Sequence, residues 1–228
     1  MSGGPERGAP SGPEPSPIPA DARRIRIPAA RLARWLDGFA DRHGALDTIA
    51  NDRRVEVRAA DESTAWIEVP FPPADLSGGR PLTSLSLHAN RRRRIGVLLV
   101  RRGGYAVGVF EGRDLVASKV GSSYVQGTTK AGGWSQQRYA RRRGNQARAA
   151  FGEAADAAVR VLLPEIGRLE TVVRGGDRGA CDAVLADLRL AAVAALVGGP
   201  RLAVPDPRLR VLQASPDQFL TVQITVYP

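Results

Sequence analysis

The fold turns on residues 95–121, IGVLLVRRGGYAVGVFEGRDLVASKVG. Three β-rich runs, 95–101, 105–111 and 115–121, are separated by Arg102-Gly103-Gly104 and by Gly112-Arg113-Asp114. Short glycine-containing connections return a chain antiparallel to itself, so the three runs form a meander. Downstream, Phe151, Ala154, Ala155, Ala158 and Leu162 recur at helical spacing, and Pro164 ends that pattern. A strand is expected at 169–173. Asp177 then suits the cap of a second helix carrying Ala180, Val184, Leu185 and Leu188, extending to residue 197 before Gly198-Gly199-Pro200. Two more strands are expected near 201–204 and 220–226.

Three antiparallel strands, helix, strand, helix, strand is the order of a ribonuclease-H-like α/β layer, a mixed sheet with flanking helices. A generic α+β sandwich is the competing architecture. Upstream, residues 1–22 are rich in Gly, Pro and Ser and bury too little apolar surface to offset ordering, so they read as a disordered tail. Residues 23–90 read as a small α+β N-terminal unit. It holds a helix over 28–43 with Leu32, Trp35, Leu36 and Phe39 on one face, two strands at 54–58 and 65–69, and a loop over 70–80. Residues 91–228 form the main domain. It opens on four arginines, Arg91 to Arg94, whose default reading is a solvated strand edge or loop, with an RNA contact as the alternative.

Of a net charge of +10, residues 1–114 carry +4, 115–152 carry +7 and 153–228 carry −1. No Asp or Glu occurs in the middle window, a one-sign field that marks a polyanion-binding face. Arginine supplies most of it, and its planar fork suits phosphate and base stacking. Cys181 is the only cysteine, so no disulfide forms within a monomer, and its helical setting without a nearby His reads as packing. His43 and His88 fit no metal-ligand spacing, so no metal is expected. No apolar run reaches transmembrane length and no signal-peptide core is present, so a cytoplasmic protein is expected.

Within the acid-free window lies 128–143, TTKAGGWSQQRYARRR. The window lacks the ligands of a two-metal nuclease, and no Ser-His or Cys-His pair is suggested. Gly127-Thr128-Thr129-Lys130 fails the spacing of a phosphate-binding loop, so no nucleotide is expected. What remains is Gly132-Gly133-Trp134-Ser135-Gln136-Gln137 beside arginines. A glutamine amide is no acid or base at neutral pH, but it can orient a water while backbone N–H groups stabilise an oxyanion. Two readings stay open from these residues: a flexible glycine hairpin with solvated side chains, and a tip that delivers water into a site built mostly by another molecule.

The segment from Lys130 to Ala147, KAGGWSQQRYARRRGNQA, closely resembles the VLRF family of release-factor-like peptidyl-tRNA hydrolases, in its short actinobacterial branch. The strand-strand-strand-loop-helix context fits from about residue 95 onward. The resemblance implies a domain similar to the catalytic middle domain of eukaryotic-type release factors. It implies hydrolysis of the ester between nascent peptide and tRNA on stalled large ribosomal subunits, with rRNA and peptidyl-tRNA as partners, no cofactor, and a monomer. It places the family's glutamine on Gln136, the approach on Gly132 and Gly133, and the neighbouring hydroxyl on Ser135. RNA contacts fall on Lys130, Arg138, Arg141, Arg142 and Arg143, with Trp134 as a stacking candidate. Conventional release factors place glutamine directly after the two glycines, whereas Trp134 and Ser135 intervene here, and Gln137 competes for the role. The alternative function is a non-catalytic ribosome- or RNA-binding module.

Overall fold

The computed structural model describes residues 22–101, 103–122 and 135–227, and of 135–148 the backbone alone. Two sheets organise these residues. The first contains β1 (Arg23–Pro28), β2 (Leu46–Ala50), β3 (Arg54–Ala59) and β4 (Thr64–Glu68), and it is completed by β9 (Thr221–Tyr227) from the other end of the chain. Its order is β1-β9-β4-β3-β2, with every pair antiparallel.

Side-chain alternation decides which face of this sheet is covered. Val55, Val57 and Ala59 of β3, Ala65 and Ile67 of β4, and Val222 and Ile224 of β9 are buried in one cluster. Against them pack α1 (Leu32–His43), through Leu32, Leu36 and Phe39, and α2 (Pro81–Asn90), through Leu85 and Ala89. The spacing of 32, 36 and 39 is one stripe of a 3.6-residue helix. Gly44 stops α1 at φ +91°, where its amide donates to the Ala40 carbonyl at 2.8 Å. The expected helix over 28–43 opens instead as the last residue of β1 and a 3-10 turn at Ala29–Arg31.

The second sheet has β5 (Arg94–Arg101), β6 (Gly104–Glu111), β7 (Asp114–Ser122) and β8 (Thr171–Gly176) in the order β7-β6-β5-β8. The meander is antiparallel, and β8 joins β5 in parallel with Ile95 opposite Thr171. A parallel neighbour needs a crossover, supplied by α3 (Ser135–Leu162). Parallel bridges from Val172 to Val197 and from Gly175 to Leu202 mark the place of a fifth strand that never becomes regular. This is the expected ribonuclease-H-like mixed sheet.

Both faces of the central strands are covered, hence the near-continuous apolar runs. Leu98, Val100, Val107 and Val109 face α3 and α4 (Arg178–Leu185) through Ala154, Ala158, Leu162, Cys181 and Val184. Ile95, Val97, Leu99, Ala106 and Phe110 face Leu202, Val204, Leu212 and Phe219. The last two belong to α6 (Leu209–Gln213) and α7 (Pro216–Phe219), which follow α5 (Ala191–Ala195). Each fully buried Leu, Val or Phe contributes about 1.5–3 kcal/mol. That outweighs the ~1 kcal/mol that Gly144 and Gly152 each cost α3, so the helix runs unbroken through both.

Two further expectations need correction. The expected 91–228 unit gives up its last strand, because β9 lies between β1 and β4 of the first sheet, where Val222 and Ile224 find a core. The helix from Asp177 stops at Leu185 rather than reaching 197, since Asp187 accepts from the Arg189 amide at 3.0 Å and starts a 3-10 turn. The basic segment 137–143 is continuous with α3. Asp177 does cap α4, accepting from the Ala180 amide at 3.1 Å.

Candidate nucleic-acid interface

The segment that the sequence singles out follows β7, and from Ser135 onward it is the start of α3. Its first foot is built by close packing. Gly104 pairs with Ser122, and at φ +154° a Cβ there would lie 2.4 Å from the Gly121 carbonyl oxygen. A Cβ on Gly121 would meet the buried ring of Tyr105 at 2.4 Å. Only glycines allow the strands to end this close together.

The second foot is the C-terminal half of α3. Ala154, Ala155, Ala157, Ala158 and Leu162 are buried against the sheet and α4. Asp156, on the opposite side, is held by Arg189 at 2.8 Å. Arg189 also holds the Asp187 carboxyl down to about 2 through its hydrogen bonds. At 1.5 Å per residue the 28 residues of α3 extend about 42 Å, and residues 135–148 account for about half of that.

Ser135, Gln136, Gln137, Arg138, Arg141, Arg142 and Arg143 all lie on this first half, so Gln136 belongs to the first turn of a helix rather than to a glycine apex. Positions 138, 141 and 142 are related by three and four residues and so share one side of the helix. Lys130, Gly132, Gly133 and Trp134 lie outside the described residues. Of the basic window, Lys119 is exposed on β7.

The four arginines 91–94, of which Arg94 opens β5, make their contacts elsewhere. Arg91 pairs with Glu170, and Arg92 with Asp114 at 2.9 Å. Arg94 bridges Glu111 at 2.8 Å and Glu165 at 2.9 Å. Arg93 is 1% exposed, its Nη2 2.9 Å from His88 Nε2 and its guanidinium 5.4 Å from the Phe71 ring centroid. Burial of arginine needs a partner, and Glu170 stands 3.6 Å from its Nε. Arg91 and Arg92 remain exposed in their ion pairs, as a solvated loop would have them, whereas Arg93 and Arg94 are drawn into the protein. The pairing was hidden because every acid involved lies at least 17 residues away in sequence.

Cys181 is fully buried, donates to the Gly175 carbonyl at 3.3 Å, and burial pushes its thiol up, as packing requires. Among the described residues, no group of three or more His, Cys, Asp or Glu is placed to hold a metal ion. Among them also, no helix is long and apolar enough to cross a membrane.

A mixed sheet in the order β7-β6-β5-β8, with a long helix crossing from β7 to β8, defines an α/β domain of ribonuclease-H-like order. Residues 93–225, more than half of the chain, match the family described as the Actinobacteria/chloroflexi VLRF1 release factor, and the chain belongs to that family. Among solved structures it is similar to one described as the archaeal translation termination factor aRF1, at 14% identity and a TM-score of 0.41. That similarity covers 86% of this chain and 64% of the other, so the chain spans less than two thirds of the termination factor. A second, described as an archaeal protein, is similar at 16% identity and a TM-score of 0.33, over 69% of this chain and 48% of that one. No curated protein matches the chain.

Proposed function

We propose that this chain hydrolyses the ester between nascent peptide and tRNA on stalled large ribosomal subunits, as a cytoplasmic monomer acting in ribosome rescue. The observation that carries the reading is the family match over residues 93–225, which contains the acid-free basic window and its Gly-Gly-Trp-Ser-Gln-Gln segment.

In this reading Gln136 orients a water through its side-chain amide. The water oxygen bonds to the ester carbonyl carbon, the bond to the tRNA ribose oxygen breaks, and that oxygen takes up a proton originating from the water. Backbone N–H groups around Gly132 and Gly133 stabilise the tetrahedral oxyanion, a contribution of about 3–4 kcal/mol where a single such donor has been removed from an enzyme. Ser135 flanks the glutamine. Lys130, Arg138, Arg141, Arg142 and Arg143 hold rRNA and tRNA phosphates, and Trp134 stacks on a base. The step calls on no metal or nucleotide.

The test is peptide release from stalled large-subunit complexes. Gln136→Ala is expected to lower the release rate about 100-fold, within the range of positioned proton-transfer and water-orienting groups, while still co-sedimenting with the subunit. Release at the wild-type rate removes Gln136 from the role. If Gln137→Ala alone abolishes release, the water-positioning amide is the next residue along. Co-sedimentation without any release by the wild-type protein establishes a binding module instead.

A further inference from the structure

The first sheet has a second face, which α1 and α2 do not cover. Alternation and register place Arg24 and Arg26 of β1 there, with Gln223, Thr225 and Tyr227 of β9, Trp66 and Glu68 of β4, and Arg54, Glu56 and Arg58 of β3. Thr225 stands opposite Trp66, and Trp66 opposite Glu56, so the side chains form rows across strands about 4.8 Å apart.

Four arginines stand on this face against two acids, and among the described residues only Arg58 is ion-paired there. Glu56 accepts from Arg58 at 3.1 Å, and Glu68 accepts from the Gln223 amide at 2.9 Å. Arg26 reaches only the neutral Gln223 oxygen at 3.4 Å, and Arg201, across the cleft, donates to the Gly176 carbonyl at 2.7 Å. Arg54 lies 4.9 Å over the Trp66 ring, and Tyr227 meets that ring edge-on at 5.2 Å. None of these three contacts neutralises a guanidinium.

Trp66 is 7% exposed and its indole N–H has no partner among the described residues. The half-buried Arg54 guanidinium is therefore the cation that stands over the Trp66 ring on this face. The face is the floor of a cleft of about 1300 Å³, walled by Phe71, Pro72, Pro200 and Arg201.

An open sheet that offers a cation over an aromatic ring, amide and hydroxyl groups, and arginines that no acid among the described residues neutralises has the chemistry that takes single-stranded RNA. Bases stack on guanidinium or aromatic planes, and phosphates meet the flanking cations. We propose that this face is a second RNA-binding surface, with Arg54 stacking a base and Arg26 and Arg201 meeting phosphates. An acidic peptide would satisfy the cations but would leave the stacking plane without a use. The proposal does not depend on hydrolysis by the α3 loop.

The test uses the full chain and a fluorescent single-stranded oligouridine of about 12 nucleotides, within the usual range of single-strand site sizes. Anisotropy is read against salt in a background carrying Arg141→Glu and Arg142→Glu, which disables the other basic segment. Adding Arg26→Ala and Arg54→Ala is expected to weaken binding about tenfold or more and to reduce the salt slope by about 0.7 for each phosphate no longer neutralised. Arg54→Lys keeps the charge and removes the plane, so affinity falls while the slope stays. Photocrosslinks are expected within residues 54–72 and 221–227. Unchanged affinity and slope in the Arg26/Arg54 variant overturn the proposal, as do crosslinks confined to residues 123–148. Displacement of the RNA by polyglutamate at equal charge also overturns it, in favour of an acidic protein partner. Peptide release is measured in parallel: unchanged release in Gln136→Ala overturns the hydrolysis reading and leaves oligouridine binding to decide this one.

Discussion

His88 and Arg93 meet with Nε2 and Nη2 2.9 Å apart, and the same Nε2 lies 2.9 Å from the Pro70 carbonyl oxygen. One ring nitrogen cannot both accept from the guanidinium and donate to the carbonyl, so in either tautomer only one of the two contacts is a hydrogen bond. Burial pushes the His88 pKa below its usual 6.5, and the charges of Arg93 and Arg91 act in the same direction against the carbonyls of Pro70 and Phe71.

A pH dependence follows from the sign of that shift. A histidine whose folded pKa is lowered binds protons more readily when unfolded. Its contribution is therefore complete above pH 6.5 and declines as pH falls from 6.5 toward the folded value. The melting temperature is expected to drop as pH is lowered from 7 to 5, with a smaller drop in His88→Gln. An identical drop in both proteins assigns the effect to other groups.

Arg93 carries the junction of the two sheets. Truncating it removes the Phe71 contact and leaves Glu170 with one guanidinium where it had two. Arg93→Ala is expected to cost about 3 kcal/mol, at the lower end for breaking a buried ion pair because Glu170 is partly exposed. Urea titration measures it. A double-mutant cycle with Glu170→Gln should show coupling, and additive costs would mean that packing alone holds Arg93.

Gly104 tests whether the foot of the loop requires a bare backbone. A Cβ there meets the Gly121 carbonyl oxygen, a backbone atom with no rotamer to change, and the positive φ adds strain. Gly104→Ala is expected to cost roughly 2–3 kcal/mol. Gly152→Ala, with nothing within 4 Å of its Cβ, is expected to gain up to about 1 kcal/mol, and thermal melts of the two should move in opposite directions.

The arginines at 141 and 142 are predicted to act through phosphates. Arg141→Glu with Arg142→Glu should weaken subunit binding and lower the salt slope by about 0.7–0.9 for each phosphate that is no longer neutralised. Weaker binding with an unchanged slope would point to an interaction with something other than phosphate.

Much of the second sheet was legible because its information is local. Residues 95–121 carry their own turn chemistry, and the parity of their apolar residues names the covered faces. Asp177 was legible for the same reason, since a cap bonds to an amide three residues on. The special segment was legible by composition, through the missing acids and the paired glycines.

Other features were out of reach of local pattern. No strand was expected at residues 23–28, and β1 forms there because β9 pairs with it from Arg23–Val226 to Pro28–Thr221. In the same way Arg93 reads as one of four solvated cations until His88, Phe71 and Glu170 surround it.

The sequence alone thus determined the meander, its crossover helix and the basic segment between them, because hydrophobic period, turn residues and charge act over a few residues. Only the tertiary structure decided that the chain's last strand completes its first sheet, that the arginine run is spent on acids, and that a further set of arginines stands on an open face. Strand pairing and ion pairing join residues distant in sequence, and no local pattern records which partner lies opposite.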